Sequence, residues 1–305
     1  MSETKLLYLA GPLRCGSTLL ASVLGQVPGI VDTGELWMFW RNRQTEPVRY
    51  CGCGKAFLSC SFWSAVAEAA PRAAAVESAE IDQLFDRLRT RHAIELYRAS
   101  ARGRSALEPY DELLGELYRA VAEVSGASVI VDSSKAPAPG LAALSAPGIE
   151  PYLLHMTRDP RSVVSSWSKP KINEAIPSES LPARRWQDVT ADWITHAAVI
   201  SALLARRVPA GHYRRLRYED FVASPRHSVE ALLSWLGVDR AATSFIDDRR
   251  AEVNPTHSVS GNPDRHGAGT RLITSSERWR EELPLSTKLV VGALSAPQRW
   301  IYGYR

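Results

Sequence analysis

No run of about 18 apolar residues occurs in this 305-residue chain, so a membrane-spanning helix is not expected. Nor does any lysine- or arginine-rich run stand out, and the net charge is only +4. That balance suits a small anionic ligand better than a nucleic-acid backbone. The first residues, Met1-Ser2-Glu3-Thr4, lack the charged-then-apolar layout of a secretory signal, and a cytoplasmic protein is expected. Cysteine is scarce, with Cys15 standing apart from Cys51, Cys53 and Cys60 in CGCGKAFLSC. Three thiols fall one short of a tetrahedral metal site, whose fourth ligand would have to come from elsewhere, such as a distant His. A reducing cytoplasm argues against a permanent disulfide. A plain structural turn is therefore the expectation, and no metal is assigned.

A 45% apolar and 23% charged composition is ordinary for a globular chain that can bury a full core. The stretch KLLYLAGPLRCGSTLL, Lys5 to Leu20, organises the rest. Leu6–Ala10 suffice for one buried strand, and a helical pattern resumes at Leu19. Between them Gly11 and Gly16 bound a turn whose N–H groups, with the helix N-terminus, can cradle an anion. The spacing is that of a phosphate-binding loop. The lysine that such a loop carries after its second glycine is missing, and the cation sits earlier, at Arg14.

Further strands are expected near Ile30–Glu35, Ser128–Asp132, Tyr152–Thr157 and Tyr213–Arg217. The second of these runs into Ser133-Ser134-Lys135. The third is followed by Arg158, with Asp159 suited to cap a helix that Pro160 begins. Ser162 and Ser166 share a face of that helix. Residues 41–78 look irregular, Arg102-Gly103-Arg104 reads as a loop, and Asn254–Arg265 is a long loop rich in turn formers. Ser276 and Glu277 are expected to start a short helix, followed by one final amphipathic helix. The alternation predicts an α/β fold: a single domain over 1–305 with a helical and irregular insertion at about 41–127. Its mostly parallel central sheet is flanked by helices, and a P-loop-like turn follows the first strand. Ligands of such sheets bind at the strands' C-terminal ends, where Arg14, Glu35, Ser133/Lys135 and Arg158 with Ser166 converge.

These motifs resemble the sulfotransferases that use 3′-phosphoadenosine-5′-phosphosulfate (PAPS). GPLRCGSTLL resembles their 5′-phosphosulfate loop, RDPRSVVSS their 3′-phosphate motif, RYEDF the strand–loop beyond the nucleotide, and HSVSGNPDR the loop that closes over the 3′-phosphate. The resemblance implies PAPS as cosubstrate, adenosine 3′,5′-bisphosphate (PAP) as product, and no metal requirement. It implies that Arg14, Cys15, Gly16, Ser17 and Thr18 hold the phosphosulfate, with Arg14 an electrostatic clamp because Arg does not readily give up a proton. Arg158, Ser166 and Arg265 would bind the 3′-phosphate, Ser258 and Asn262 would contribute from the closing loop, and Tyr218 would lie against the adenine. In the branch similar to tyrosylprotein and some bacterial carbohydrate or lipid sulfotransferases, the position of Glu35 in DTGEL is the general base. Lys135 in VDSSK matches the lysine set against the sulfate there. The acceptor would be a hydroxyl or amine of a small molecule, glycan, lipid or peptide, expected to be lined by 41–127 and 169–185. A homodimer is compatible with this, and nucleic-acid binding is not expected.

Trp37, Phe39 and Trp40 are expected as core, or else as a wall of the acceptor pocket. His155 is expected in the core, and His257 within reach of ligand. Two rival readings remain at this point: a P-loop kinase-like phosphotransferase using ATP and Mg²⁺, for which only Asp132 offers a strand-end metal aspartate, and a non-catalytic nucleotide-binding protein.

Overall fold

Leu6, Leu7, Tyr8, Leu9 and Ala10 are all fully buried, because the strand they form, β1 (Thr4–Ala10), is the middle strand of a five-stranded sheet. The computed structural model describes residues 4–101, 110–173, 176, 180–239, 243–274 and 277–304. With β2 (Ile30–Gly34), β3 (Val129–Lys135), β4 (Ile149–Thr157) and β5 (Tyr213–Arg217), the sheet order is β2-β3-β1-β4-β5, every pairing parallel. Alternation along β1 sends Leu6, Tyr8 and Ala10 into one helical layer and Leu7 and Leu9 into the other. Each of the three leucines contributes roughly 1.5–3 kcal/mol on burial, so this strand anchors both layers. The result is a single α/β domain with a mostly parallel sheet covered on both faces.

After β1 comes α1 (Ser17–Leu24). Between β2 and β3 lie α2 (Phe39–Asn42), α3 (Ser61–Ala69), α4 (Pro71–Ala74), α5 (Ser78–Arg87), α6 (Ala93–Ala101) and α7 (Tyr110–Ser125). Residues 41–78 are thus partly helical rather than irregular. Trp63 and Val66, one turn apart on α3, are buried in the layer that also holds Leu117 and Val121 of α7. The loop expected at Arg102-Gly103-Arg104 lies outside the described residues.

β3 leads into α8 (Pro137–Ala143), and β4 into α9 (Pro160–Trp167). The Asp159 side chain caps α9 by accepting from the Arg161 N–H, as its position before Pro160 predicts. Then follow α10 (Trp186–Ala202), α11 (Tyr218–Ala223) and α12 (Pro225–Leu236), the last stopped by Gly237 in the left-handed region. RYEDF is therefore strand and then helix, with Glu219 and Asp220 favourably placed in the first turn of α11.

The long loop is framed by a two-stranded antiparallel hairpin, β6 (Arg250–Val253) and β7 (Gly269–Leu272), which sequence pattern alone does not announce. The chain ends with α13 (Trp279–Glu282), α14 (Leu285–Leu294) and α15 (Ala296–Ile301), two helices where one was expected. Ser276 lies outside the described residues. Among the described residues, no helix is long and apolar enough to cross a membrane.

Candidate functional site

Because β2, β3, β1 and β4 run in one direction, Gly34, Lys135, Ala10 and Thr157 end along one edge of the sheet. The chain passes from β1 to one side of the sheet for β2 and β3, and later to the other side for β4, so the crevice opens beside β1. A cleft of ≈ 690 Å³ lies there. It is lined by Arg14, Gly16, Ser17, Thr18, Glu35, Lys135, Arg158, Ser166, Tyr218, Asn262 and Arg265, and further out by Lys169, Lys171, Leu181, Arg271, Arg278 and Glu282.

The turn after β1 closes on itself through the Cys15 N–H to the Pro12 carbonyl, at 3.1 Å. Gly16 precedes α1 with φ 95°, and a Cβ there would sit 2.3 Å from the Tyr218 ring, so the turn requires glycine. Ser17 and Thr18 open α1 into the cleft. Cys15 does not face it: the residue is fully buried, its N–H is spent within the turn, and burial pushes the thiol up.

Among the described residues, only two that are not glycine have positive φ, Arg14 at 71° and Lys135 at 66°. Each conformation costs about 1–3 kcal/mol, and such strain persists where the surroundings over-determine it, typically at functional sites. Both residues are cations at the end of a buried strand. Lys135 Nζ donates to Glu35 Oε1 at 2.6 Å and to the Ser133 carbonyl at 2.8 Å. The pair is nearly enclosed, with side-chain exposures of 7% and 17%. Glu35 Oε2 has no hydrogen-bond partner among the described residues.

The Arg14 guanidinium lies over the Trp167 ring, 4.8 Å from its centroid. Burial lowers its pKa, Asp264 opposes that fall, and it stays a cation. Arg158 lies 4.4 Å over the Tyr218 ring and donates to the Arg14 carbonyl at 3.1 Å. Its own carbonyl is held by Trp193 Nε1 at 2.9 Å. The Nε atoms of Arg14 and Arg158 are buried without a hydrogen-bond partner among the described residues. Two guanidinium cations in one cleft fit a ligand with two anionic groups. Tyr218 is thus wedged between Gly16 and Arg158, beneath the cation.

The closing loop runs along β2. The Val259 N–H donates to the Thr33 carbonyl at 2.8 Å and the Glu35 N–H to the Ser260 carbonyl at 3.1 Å. Gly34, with φ 66°, permits this approach, since a Cβ would lie 2.5 Å from the Ser260 oxygen. Asn262 reaches the cleft and caps a short turn at Pro263–His266. Two expectations change here. Ser258 is buried against Gly52 and does not line the cleft. Arg265 lines it, but its guanidinium is committed to the Ser258, Val259 and Tyr50 carbonyls, so it ties the loop together.

Asp32 staples the start of this loop to β2, accepting from the Gly34 N–H at 2.9 Å and from Thr256 Oγ1 at 3.0 Å. Burial pushes its carboxyl up to about 6, against those hydrogen bonds. The raised value means that the folded state favours the protonated form. Stability from this group is full below about pH 4 and is lost as pH rises through about 6. For Asp32→Asn, the Tm difference from the parent should therefore rise between about pH 4 and about pH 7. Parallel Tm–pH curves would refute the assignment.

Neither candidate histidine reaches the cleft. His155 is fully buried, 3.2 Å from the Tyr213 hydroxyl, and burial followed by Arg215 lowers it to about 3. His257 turns toward Cys51 and Cys60, contrary to the expectation of ligand contact. Asp132 is buried, accepting from Tyr118 at 2.6 Å and from the Ser134 N–H at 2.8 Å, and does not line the cleft. Phe39 and Trp40 are core, and Trp37 packs on Phe85. No lining residue comes from 41–127 among the described residues; the outer cleft is walled by Lys169, Lys171 and Leu181 on one side and by Arg271, Arg278 and Glu282 on the other. Trp167, Arg271 and Arg278 carried no sequence signal. Trp167 sits one residue past the Ser162/Ser166 face, and a test for arginines near its ring position needs the fold.

A model of the sulfotransferase family matches residues 7–242. The fold is similar to the sulfotransferase domain of the Synechococcus PCC 7002 olefin synthase (TM-score 0.53, 19% identity, 99% of this chain and 94% of that one). It is also similar to the sulfotransferase domain from the curacin biosynthetic pathway (0.54, 14%, 100% and 99%). Sulfotransferase STF9 from Mycobacterium avium aligns too (0.52, 13%, 100% and 78%). At these identities the likeness establishes the fold. No curated protein matches the chain.

Proposed function

This chain belongs to the sulfotransferase family, and we propose that it moves a sulfuryl group from PAPS to a hydroxyl or amine, with Glu35 as general base. One observation carries this: the Glu35–Lys135 pair, 2.6 Å apart, stands in the same cleft as the two guanidinium cations of Arg14 and Arg158 at the sheet edge. PAPS, when bound, supplies an electrophilic sulfur joined to a phosphate leaving group, with a second phosphate at the 3′ position.

Gly16, Ser17, Thr18 and the N-terminus of α1 hold the 5′ anion, and Arg14 clamps it with a planar fork. Arg158 and Ser166 hold the 3′-phosphate, which separates PAPS from ATP. Tyr218 positions Arg158 from below, and Arg265 positions the loop that carries Asn262. Lys135 turns the Glu35 carboxylate so that Oε2 is available to take the acceptor's proton. The same Nζ stabilises negative charge as it develops, an effect worth about 10²–10³ in rate for one well-placed donor. Residues 1–305 act as one catalytic unit. Lys169, Lys171 and Leu181 on one wall and Arg271 and Arg278 on the other line the acceptor side. That wall suits an acceptor with both an apolar and an anionic portion.

The full chain should transfer label from radiolabelled PAPS to at least one member of a phenol, glycan, lipid and peptide panel. PAP should raise its Tm more than ATP with Mg²⁺ does. Equal or greater stabilisation by ATP–Mg²⁺ would overturn the donor assignment in favour of phosphoryl transfer.

A further inference from the structure

Away from the cleft, the turn Cys51-Gly52-Cys53 and the start of α3 bring three thiols to one point. Cys51 and Cys60 are fully buried and Cys53 is half-buried. The fourth group at this point is His257, from the closing loop 197 residues beyond Cys60. All four ligand atoms lie within 4.8 Å of one another. Cys53 Sγ is 3.8 Å from Cys60 Sγ, and His257 Nδ1 is 3.3 Å from Cys60 Sγ and 3.6 Å from Cys51 Sγ.

Those edges have a specific meaning. Zinc bonds of about 2.3 Å to sulfur and about 2.0 Å to nitrogen make tetrahedral edges of about 3.8 Å between sulfurs and about 3.5 Å between sulfur and nitrogen. The same Nδ1 faces two sulfurs at once, the arrangement that a shared metal at the centre of the four groups would impose. No two of the cysteines are bonded to each other. The imidazole ring is stacked on Phe62 at 4.7 Å, and the His257 backbone carbonyl accepts from Trp63 Nε1 at 2.8 Å, which fixes the loop residue that carries the imidazole.

We propose that Cys51, Cys53, Cys60 and His257 bind one Zn²⁺ in a closed, tetrahedral, structural site that fastens the closing loop to the Cys51–Cys60 segment. Three sulfurs and one nitrogen suit zinc, and with all four positions supplied by protein no coordination site is left for catalysis. Binding releases the thiol protons to solvent as the thiolates coordinate. The residues just after His257 are those that pair with Gly52, Thr33 and Glu35, so the metal sets the position of Ser260, Gly261 and Asn262 at the cleft. This holds whatever reaction the cleft performs.

The full chain, purified without chelator and desalted, should contain about one zinc per molecule by elemental mass spectrometry. Cys60→Ser and His257→Ala should each reduce that content at least about tenfold. Stripping the unmodified chain and adding Co²⁺ should produce sulfur-to-cobalt charge-transfer bands and intense visible ligand-field bands of a tetrahedral thiolate site, a readout independent of whether the variants fold. Chelation should also lower Tm by at least about 5 °C, reversed by zinc. A chain that carries no zinc and gives only an octahedral cobalt spectrum overturns the proposal. So does zinc retained in both variants, or an intact mass two hydrogens low, which would signal a disulfide.

Discussion

Glu35→Gln should lower kcat about a thousandfold, within the 10²–10⁴ range of general-base catalysis, and leave the dissociation constant of PAP within about threefold of the parent's. Gln occupies the same volume, and its carbonyl can still accept from Lys135 Nζ, so the lysine is not left as an unpaired buried cation. What is lost is the ability of Oε2 to take a proton. Because Glu35 also receives the closing loop through its own backbone N–H, the side-chain change leaves that contact in place. The decisive comparison is single-turnover transfer from PAPS alongside PAP binding by calorimetry. Turnover within about tenfold of the parent would remove Glu35 as the base. His155 and His257 would not inherit the role, since neither lines the cleft.

Arg158→Ala should raise the PAP dissociation constant about a hundredfold, equivalent to about 2.7 kcal/mol. A charge-assisted fork to phosphate is lost, and the Arg14 carbonyl loses the donor that now reaches it at 3.1 Å. Those two consequences separate by choice of ligand. Adenosine 5′-monophosphate lacks the 3′-phosphate and should lose no more than about threefold in affinity if Arg158 reads that group. Equal losses for both nucleotides would mean that Arg158 acts only by holding the loop around Arg14. Arg158→Lys keeps charge without the planar fork and should fall between parent and Ala.

Much of this arrangement was legible in the chain because it is local. The strand–turn–helix from Lys5 to Leu24 follows from an apolar run, a glycine-bounded turn and resumed helical spacing. Asp159-Pro160 marks a helix start, and Gly237 a helix stop, through backbone rules that act over a few residues. The convergence of Arg14, Glu35, Lys135 and Arg158 followed once the strands were read as parallel, since parallel strands place all their C-terminal ends on one edge. The hairpin around the closing loop was missed because four-residue strands with exposed faces carry almost no periodic signal. Helix α3 was missed because the alanines around Trp63 and Val66 conceal which face is buried.

The sequence by itself determined the fold class, the phosphate-binding turn and the strand-end identity of the site, because short-range backbone preferences and hydrophobic periodicity decide those. Tertiary structure alone decided that Arg265 binds carbonyls, that the described residues of 41–127 stay out of the cleft, that Tyr218 lies under Arg158, and that His257 meets three cysteines. Each joins segments far apart in the chain. Which remote partner a buried guanidinium or imidazole takes depends on what else must be satisfied in the same enclosed space, and residue spacing does not encode that.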